Sequence, residues 1–188
     1  YDVEVHGTGF GVDERGLSPV VYFGHQICED SILVNSETIK CTAPEGFGSV
    51  GVKVSIDGII SKTVSFDYSS PIVTSLDQSH GPTSGNYSIM ITGKNFGPES
   101  AALVVYIGDN PCLDVTWFSH NSMKCVVPPG VGKDHPVCVR SYDSSSSGKN
   151  EQTTTSFNYD KPVINDIDPG SLPTKGGTVI TITGSNFG

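Results

Sequence analysis

The feature that most constrains this chain is that it repeats itself. Residues 93–97 read GKNFG, the last five residues, 184–188, read GSNFG, and residues 7–11 read GTGFG. The likeness runs well beyond these five positions. Val20-Val-Tyr-Phe-Gly24 returns as Val104-Val-Tyr-Ile-Gly108, and Ile39-Lys-Cys41-Thr-Ala-Pro44 returns as Met123-Lys-Cys125-Val-Val-Pro128. Phe66-Asp-Tyr68-Ser-Ser-Pro71 returns as Phe157-Asn-Tyr159-Asp-Lys-Pro162. Anchors that keep their order while their spacing drifts by a few residues mark homologous units, each of about 90 residues, with loop insertions. One small insertion follows the glycine signature of the first unit. A larger one falls in SYDSSSSGKNEQTTT, where the first unit has the tight SIDGIISKT. A Ser/Thr tract of this kind has little to bury and is expected to be a solvated, mobile loop.

These anchors divide the chain into residues 1–70, a first repeat lacking its first strand, residues 71–161, a complete second repeat, and residues 162–188, the first two strands of a third. The chain therefore reads as a stretch of a longer array. The lack of an initiator Met, a signal peptide or a long apolar segment then says nothing about the parent.

The local pattern is all-β. Val3 and Val5, Ile89 and Ile91, and Ile180 and Ile182 alternate with other residues at the period of a half-buried strand. LVVYIG, MKCVV, PVCVRSY and TSFNY are further short β-branched or aromatic runs, and Asp57-Gly58 is a strong hairpin-turn signal. The 22 Gly and 12 Pro break these runs at short intervals, and no window keeps a helical period. Six or seven short strands in each unit imply a two-sheet sandwich.

Cysteine spacing repeats as well. Cys28 and Cys41 are 13 positions apart, as are Cys112 and Cys125, which predicts one disulfide in each repeat linking two adjacent strands. Closing such a loop stabilises a domain by roughly 3 kcal/mol in a chain-entropy treatment. Buried, reduced thiol pairs are the alternative. Zinc would call for a C-x-x-C or a nearby pair of His, and neither is present. Disulfides imply an oxidising compartment, hence the extracellular face of the plasma membrane or secretion. Asn86-Tyr87-Ser88 is a glycosylation sequon that agrees with this address. Cys138 is left over. It stands where the first repeat has Lys53, so it is expected to point outward, either as a thiol or as a partner for a cysteine elsewhere.

The order P-x-I-x-x-I-x-P, G-G-T-x-I-T-I-T-G-x-N-F-G, V-x-I-G, Cys, x-K-C-x-x-P and F-x-Y-x-x-P resembles the IPT/TIG domain. The resemblance covers the whole chain, and its fullest text is PVINDIDPGSLPTKGGTVITITGSNFG. Gly9 departs from the pattern, standing where the other copies have Asn95 and Asn186. The resemblance implies tandem immunoglobulin-like (E-set) β-sandwiches. The family is found in plexins, the hepatocyte growth factor receptor, fibrocystin-like proteins and large adhesion receptors of social amoebae. An intracellular branch forms the dimerisation domain of Rel-type transcription factors. Tandem copies with paired cysteines resemble the extracellular stalks, those of social amoebae among them.

Catalysis finds little support in the residues. Gly46-Phe-Gly48-Ser-Val-Gly51 fits G-x-G-x-x-G but precedes the strand-like VKVSI, so no helix N-terminus is there to hold a phosphate. The five His show no metal-ligand spacing, and no G-x-S-x-G is present. Asp77, Asp166 and Asp168 lie in no calcium-loop pattern, so neither a metal nor a cofactor is expected. A net charge of −9 and the absence of a basic cluster argue against nucleic acid.

What remains is a non-enzymatic binding module of a cell-surface receptor or adhesion protein, meeting another extracellular protein homophilically or heterophilically. The alternative is a passive spacer that carries an enzyme or carbohydrate-binding domain. Trp117 is the candidate anchor for a partner protein. Counting six positions from Cys112 puts Phe118 on the inward face of a regular strand and Trp117 outward, and a bulge that turns both rings inward is the alternative.

Overall fold

Alternating apolar residues become short strands throughout, and a computed structural model describes residues 1–11, 18–141, 152–153 and 155–188. The chain divides into two compact units, Tyr1–Ser70 and Pro71–Gly188. Most of the expected Ser/Thr-rich loop lies outside the described residues, as does the stretch directly after Gly11.

The first unit holds β1 (Asp2–His6), β2 (Val20–Phe23), β3 (Gln26–Ile27), β4 (Glu29–Asn35), β5 (Thr38–Thr42), β6 (Ser49–Ile56), β7 (Ile59–Ile60) and β8 (Val64–Asp67). One sheet runs β1-β5-β4. The other runs β3-β2-β6-β7, with β8 also on β6. Asp57 and Gly58 turn β6 into β7 with φ of 49° and 80°, the left-handed pair that a two-residue hairpin needs.

The second unit continues with β9 (Ile72–Leu76), β10 (His80–Gly81), β11 (Ser88–Lys94), β12 (Leu103–Ile107), β13 (Asn110–Pro111), β14 (Asp114–Ser119) and β15 (Ser122–Val126). Then come β16 (His135–Ser141), β17 (Gln152–Thr153), β18 (Ser156–Tyr159), β19 (Val163–Asp168) and β20 (Thr181–Ser185). Its sheets run β14-β15-β11-β9-β17 and β10-β18-β16-β12-β13. Ile89, Ile91 and Met123 from the first sheet close on Val105, Ile107, Val137 and Phe157 from the second in one core. This is the sandwich that the period-two pattern requires.

β1 has the same place in its sheet as β11, but β11 is also paired with β9, and the described part of the first unit has no counterpart of β9. β19 and β20 form a separate two-stranded sheet with the register of β9 and β11, including its bulge. Their apolar side chains Val163, Ile164, Ile167 and Ile182 are exposed, as is Ile180 just before β20.

The geometry explains the glycine–phenylalanine signature. Phe96 is fully buried, and its N–H donates to His120 O at 2.9 Å while Gly93 N–H donates to Asn121 O at 2.9 Å. Gly7 and Phe10 dock in the same way on Glu37 and Ser36. The signature thus closes one end of each sandwich against the β4–β5 or β14–β15 turn. The residue before Phe is left-handed in all three copies, with φ of 79° at Gly9, 60° at Asn95 and 59° at Asn186. Glycine and asparagine are the residues that tolerate this backbone best, so Gly9 keeps the geometry that its sequence departs from.

A second device recurs at the opposite end. The Tyr68 hydroxyl donates to Pro44 O at 3.0 Å, and the Tyr159 hydroxyl donates to Pro128 O at 2.8 Å. A Cβ on Gly46 or Gly130 would overlap the ring of Tyr68 or Tyr159. The first glycine of the apparent G-x-G-x-x-G therefore makes room for a tyrosine. Burial raises the Tyr68 and Tyr159 hydroxyls above their ordinary range. Tyr87, whose buried hydroxyl has no hydrogen-bond partner among the described residues, is pushed up to about 12 by burial, then by Tyr159 and Asp160.

These shifts set a direction for alkaline stability. Below the ordinary tyrosine value of 10.0 both folded and unfolded chains keep Tyr87 protonated, and its contribution is fully present. As pH rises from there towards about 12, the unfolded chain ionises first and the fold loses stability. Urea midpoints at pH about 9 and about 11 are expected to fall in that order, and Tyr87→Phe is expected to reduce the fall. Phenolate absorbance should show Tyr68, Tyr87 and Tyr159 ionising above the ordinary tyrosine value.

Candidate protein-interaction surface

Each unit carries one disulfide close to an edge strand. Cys28 is bonded to Cys41 and Cys112 to Cys125, each with Cα atoms 5.8 Å apart. The bridge differs from a simple link between neighbouring strands. Cys28 sits in the crossover between β3 and β4, where its N–H donates to Val21 O in one sheet, while Cys41 lies on β5 in the other. Cys112 N–H likewise donates to Val105 O, and Cys125 lies on β15. Each bridge therefore ties the two sheets together just before an edge strand, β4 or β14.

On β14 the structure reverses the sequence expectation. Trp117 packs against the core, its Nε1–H donates to Gly97 O at 3.2 Å, and its ring meets His120 edge-on. Phe118 is the exposed residue, at 53%. Counting from Cys112 fails because Cys112 lies in the crossover, ahead of the strand, and alternation does not carry across that bend. The cross-strand partner is the better guide. Trp117 lies opposite Met123, which is buried, and directly opposed residues share a face. The pairing skips Phe118, where the register shifts between Trp117 and Ser119. The first repeat shows the same arrangement, with Leu33 against its core and Val34 exposed.

Cys138 also departs from expectation. Its neighbours Val137 and Val139 enter the core, and Cys138 lies opposite Tyr106 on β12. Yet it is only 4% exposed and in no disulfide. In the first repeat Tyr22 lies under Lys53, and in the second Arg140 covers Tyr106. A short thiol between such long side chains is overshadowed where a lysine reaches past them.

The remaining candidates fall into ordinary structural roles. Asp77 Oδ1 accepts Met90 N–H at 2.8 Å. Asp166 and Asp168 lie exposed along β19. Among the described residues no three His, Cys, Asp or Glu come together as a metal site. Asn86 is exposed on the turn before β11, with its Nδ2 donating to Ser84 O at 3.1 Å. No helix among the described residues is long and apolar enough to cross a membrane.

The family model for the IPT/TIG domain matches residues 2–68, 71–156 and 162–188. The chain belongs to the IPT/TIG family. Its all-β architecture is the immunoglobulin-like E-set fold of that family, present as tandem copies. Fibrocystin-L of Mus musculus is 29% identical over 195 residues, covering 99% of this chain and 4% of its own length. Plexin-A2 of Mus musculus is 34% identical over 196 residues, covering 98% of this chain and 10% of its own. Among solved structures, the full extracellular region of plexin A4 aligns at a TM-score of 0.43 and 22% identity, over 89% of this chain and 15% of that one. The IPT/TIG chain thus spans a tenth or less of the curated relatives named here.

Proposed function

We propose that these IPT/TIG repeats form a non-enzymatic extracellular binding module of a receptor or adhesion protein, and that they meet another cell-surface protein through the outer face of β14. Two inter-sheet disulfides suit an oxidising compartment. Plexins and fibrocystins are the named relatives, in agreement with a receptor-type context.

The observation that carries the binding surface is Phe118. It is a large aromatic ring left 53% exposed at a register shift on an edge strand, while the neighbouring indole packs against the core. Aromatic side chains that become desolvated at an interface supply much of the binding energy there. The register shifts on β4 and β14 also discourage indiscriminate strand addition at these edges, so contact through side chains is favoured.

Phe118→Ala is expected to weaken binding of the labelled chain to partner-bearing cells by about 2 kcal/mol or more, roughly thirty-fold in affinity, with an unchanged circular dichroism spectrum. Unchanged binding by this variant would favour the spacer reading. Trp117→Ala is expected instead to destabilise the second repeat, because its ring packs against the core.

A further inference from the structure

The geometry points to Asn86 as the carrier of an N-linked oligosaccharide that caps the end of the second repeat from which the chain leaves towards residues 162–188. This inference rests on the extracellular reading, because the transfer takes place in the secretory pathway. Asn86-Tyr87-Ser88 is the chain's one N-x-Ser/Thr sequence.

The fold leaves room for the product. Asn86 and Ser88 are exposed, whereas Tyr87 between them turns inward and packs against the core. The Asn86 backbone is held in place, with its N–H donating to Val127 O at 2.9 Å and a φ of 62°. In the third copy Gly177 takes the matching position with a φ of 78°, so the turn needs no side chain for its own integrity. The one that the second repeat adds stands at the surface.

In the transfer, Asn86 Nδ2 bonds to the anomeric carbon of a polyprenyl-diphosphate-linked oligosaccharide. The bond from that carbon to the diphosphate oxygen breaks, the diphosphate departs with the bonding pair, and one amide proton is released. The substituted amide keeps its second N–H, which can go on donating to Ser84 O.

The place of the glycan follows from the strand directions. Asp160 N–H donates to Gly81 O at 2.7 Å, and Gly130 N–H donates to Thr83 O at 2.9 Å, so the turn that carries Asn86 borders the departing chain. β11 runs from Ser88 beside this turn to Lys94 beside the β14–β15 turn, about 20 Å at the usual rise per residue. Phe118 lies at that far end. A glycan on Asn86 therefore screens one end of the sandwich and leaves the Phe118 face accessible.

The test is to secrete the full chain from a eukaryotic cell behind a cleavable signal and to map its peptides before and after peptide N-glycosidase. Conversion of residue 86 to aspartate is expected, together with a faster-migrating band. Asn86→Gln and Ser88→Ala should abolish both signals, and Ser88→Thr should keep them. A secreted, disulfide-bonded chain with unmodified Asn86 would overturn the glycan while leaving the extracellular reading intact. Chain retained in the cell with reduced cysteines would overturn both.

Discussion

Replacing Phe96 with alanine is expected to destabilise the second repeat by about 3–5 kcal/mol, the range for deleting a fully buried aromatic ring. Phe96 is 0% exposed, in contact with both sheets' core, and its backbone is fixed by the β14–β15 turn. The space left by the ring has rigid strand walls that cannot close on it. Phe187 has the same signature around it but is 54% exposed, just past the end of β20. Phe187→Ala is therefore expected to leave the main unfolding transition unchanged. Urea denaturation of the two variants checks the contrast. Equal losses would mean that residues 162–188 are packed structure and that the boundary near Pro162 is misplaced.

The second large effect concerns the bridges. Replacing both Cys112 and Cys125 with alanine is expected to cost the second repeat about 2–5 kcal/mol. Besides limiting the unfolded chain, the bridge anchors the crossover that leads into β14, so loosening of that edge should come first. Hydrogen exchange in residues 113–119 is expected to rise more than exchange in β11. Peptide mapping without reductant should show Cys28 joined to Cys41 and Cys112 to Cys125, with Cys138 alkylated only after unfolding because it is buried. A Cys28–Cys112 link, or bridges whose removal costs nothing, would refute the account of the scaffold.

Both predictions draw on features that differ in how far they could be read from the sequence. The signature was legible as a repeat, but its purpose was not. Gly46 shows why: in the sequence it opens an apparent phosphate-loop pattern, and only the fold brings Tyr68, just past β8, over it, as Tyr159 on β18 lies over Gly130. The error over Trp117 and Phe118 has a local cause. Period-two counting holds only within one continuous strand, and Cys112 lies outside β14. Measured from Met123 across the β14–β15 hairpin, or by analogy with Leu33, the same residues indicate an inward indole.

By itself the sequence determined the β class, the repeat boundaries as a reading, the Asp57-Gly58 turn and the cysteine pairs. These are properties of short segments, since strand period, turn chemistry and spacing act over a few residues and survive in any tertiary setting. The tertiary structure alone decided which of two adjacent aromatics meets solvent, that the bridges join sheet to sheet, and that Cys138 is covered by longer neighbours. Exposure is not a property of a residue or of its strand. It depends on what the opposing sheet and the neighbouring strands place over it, and those atoms come from residues distant in the chain.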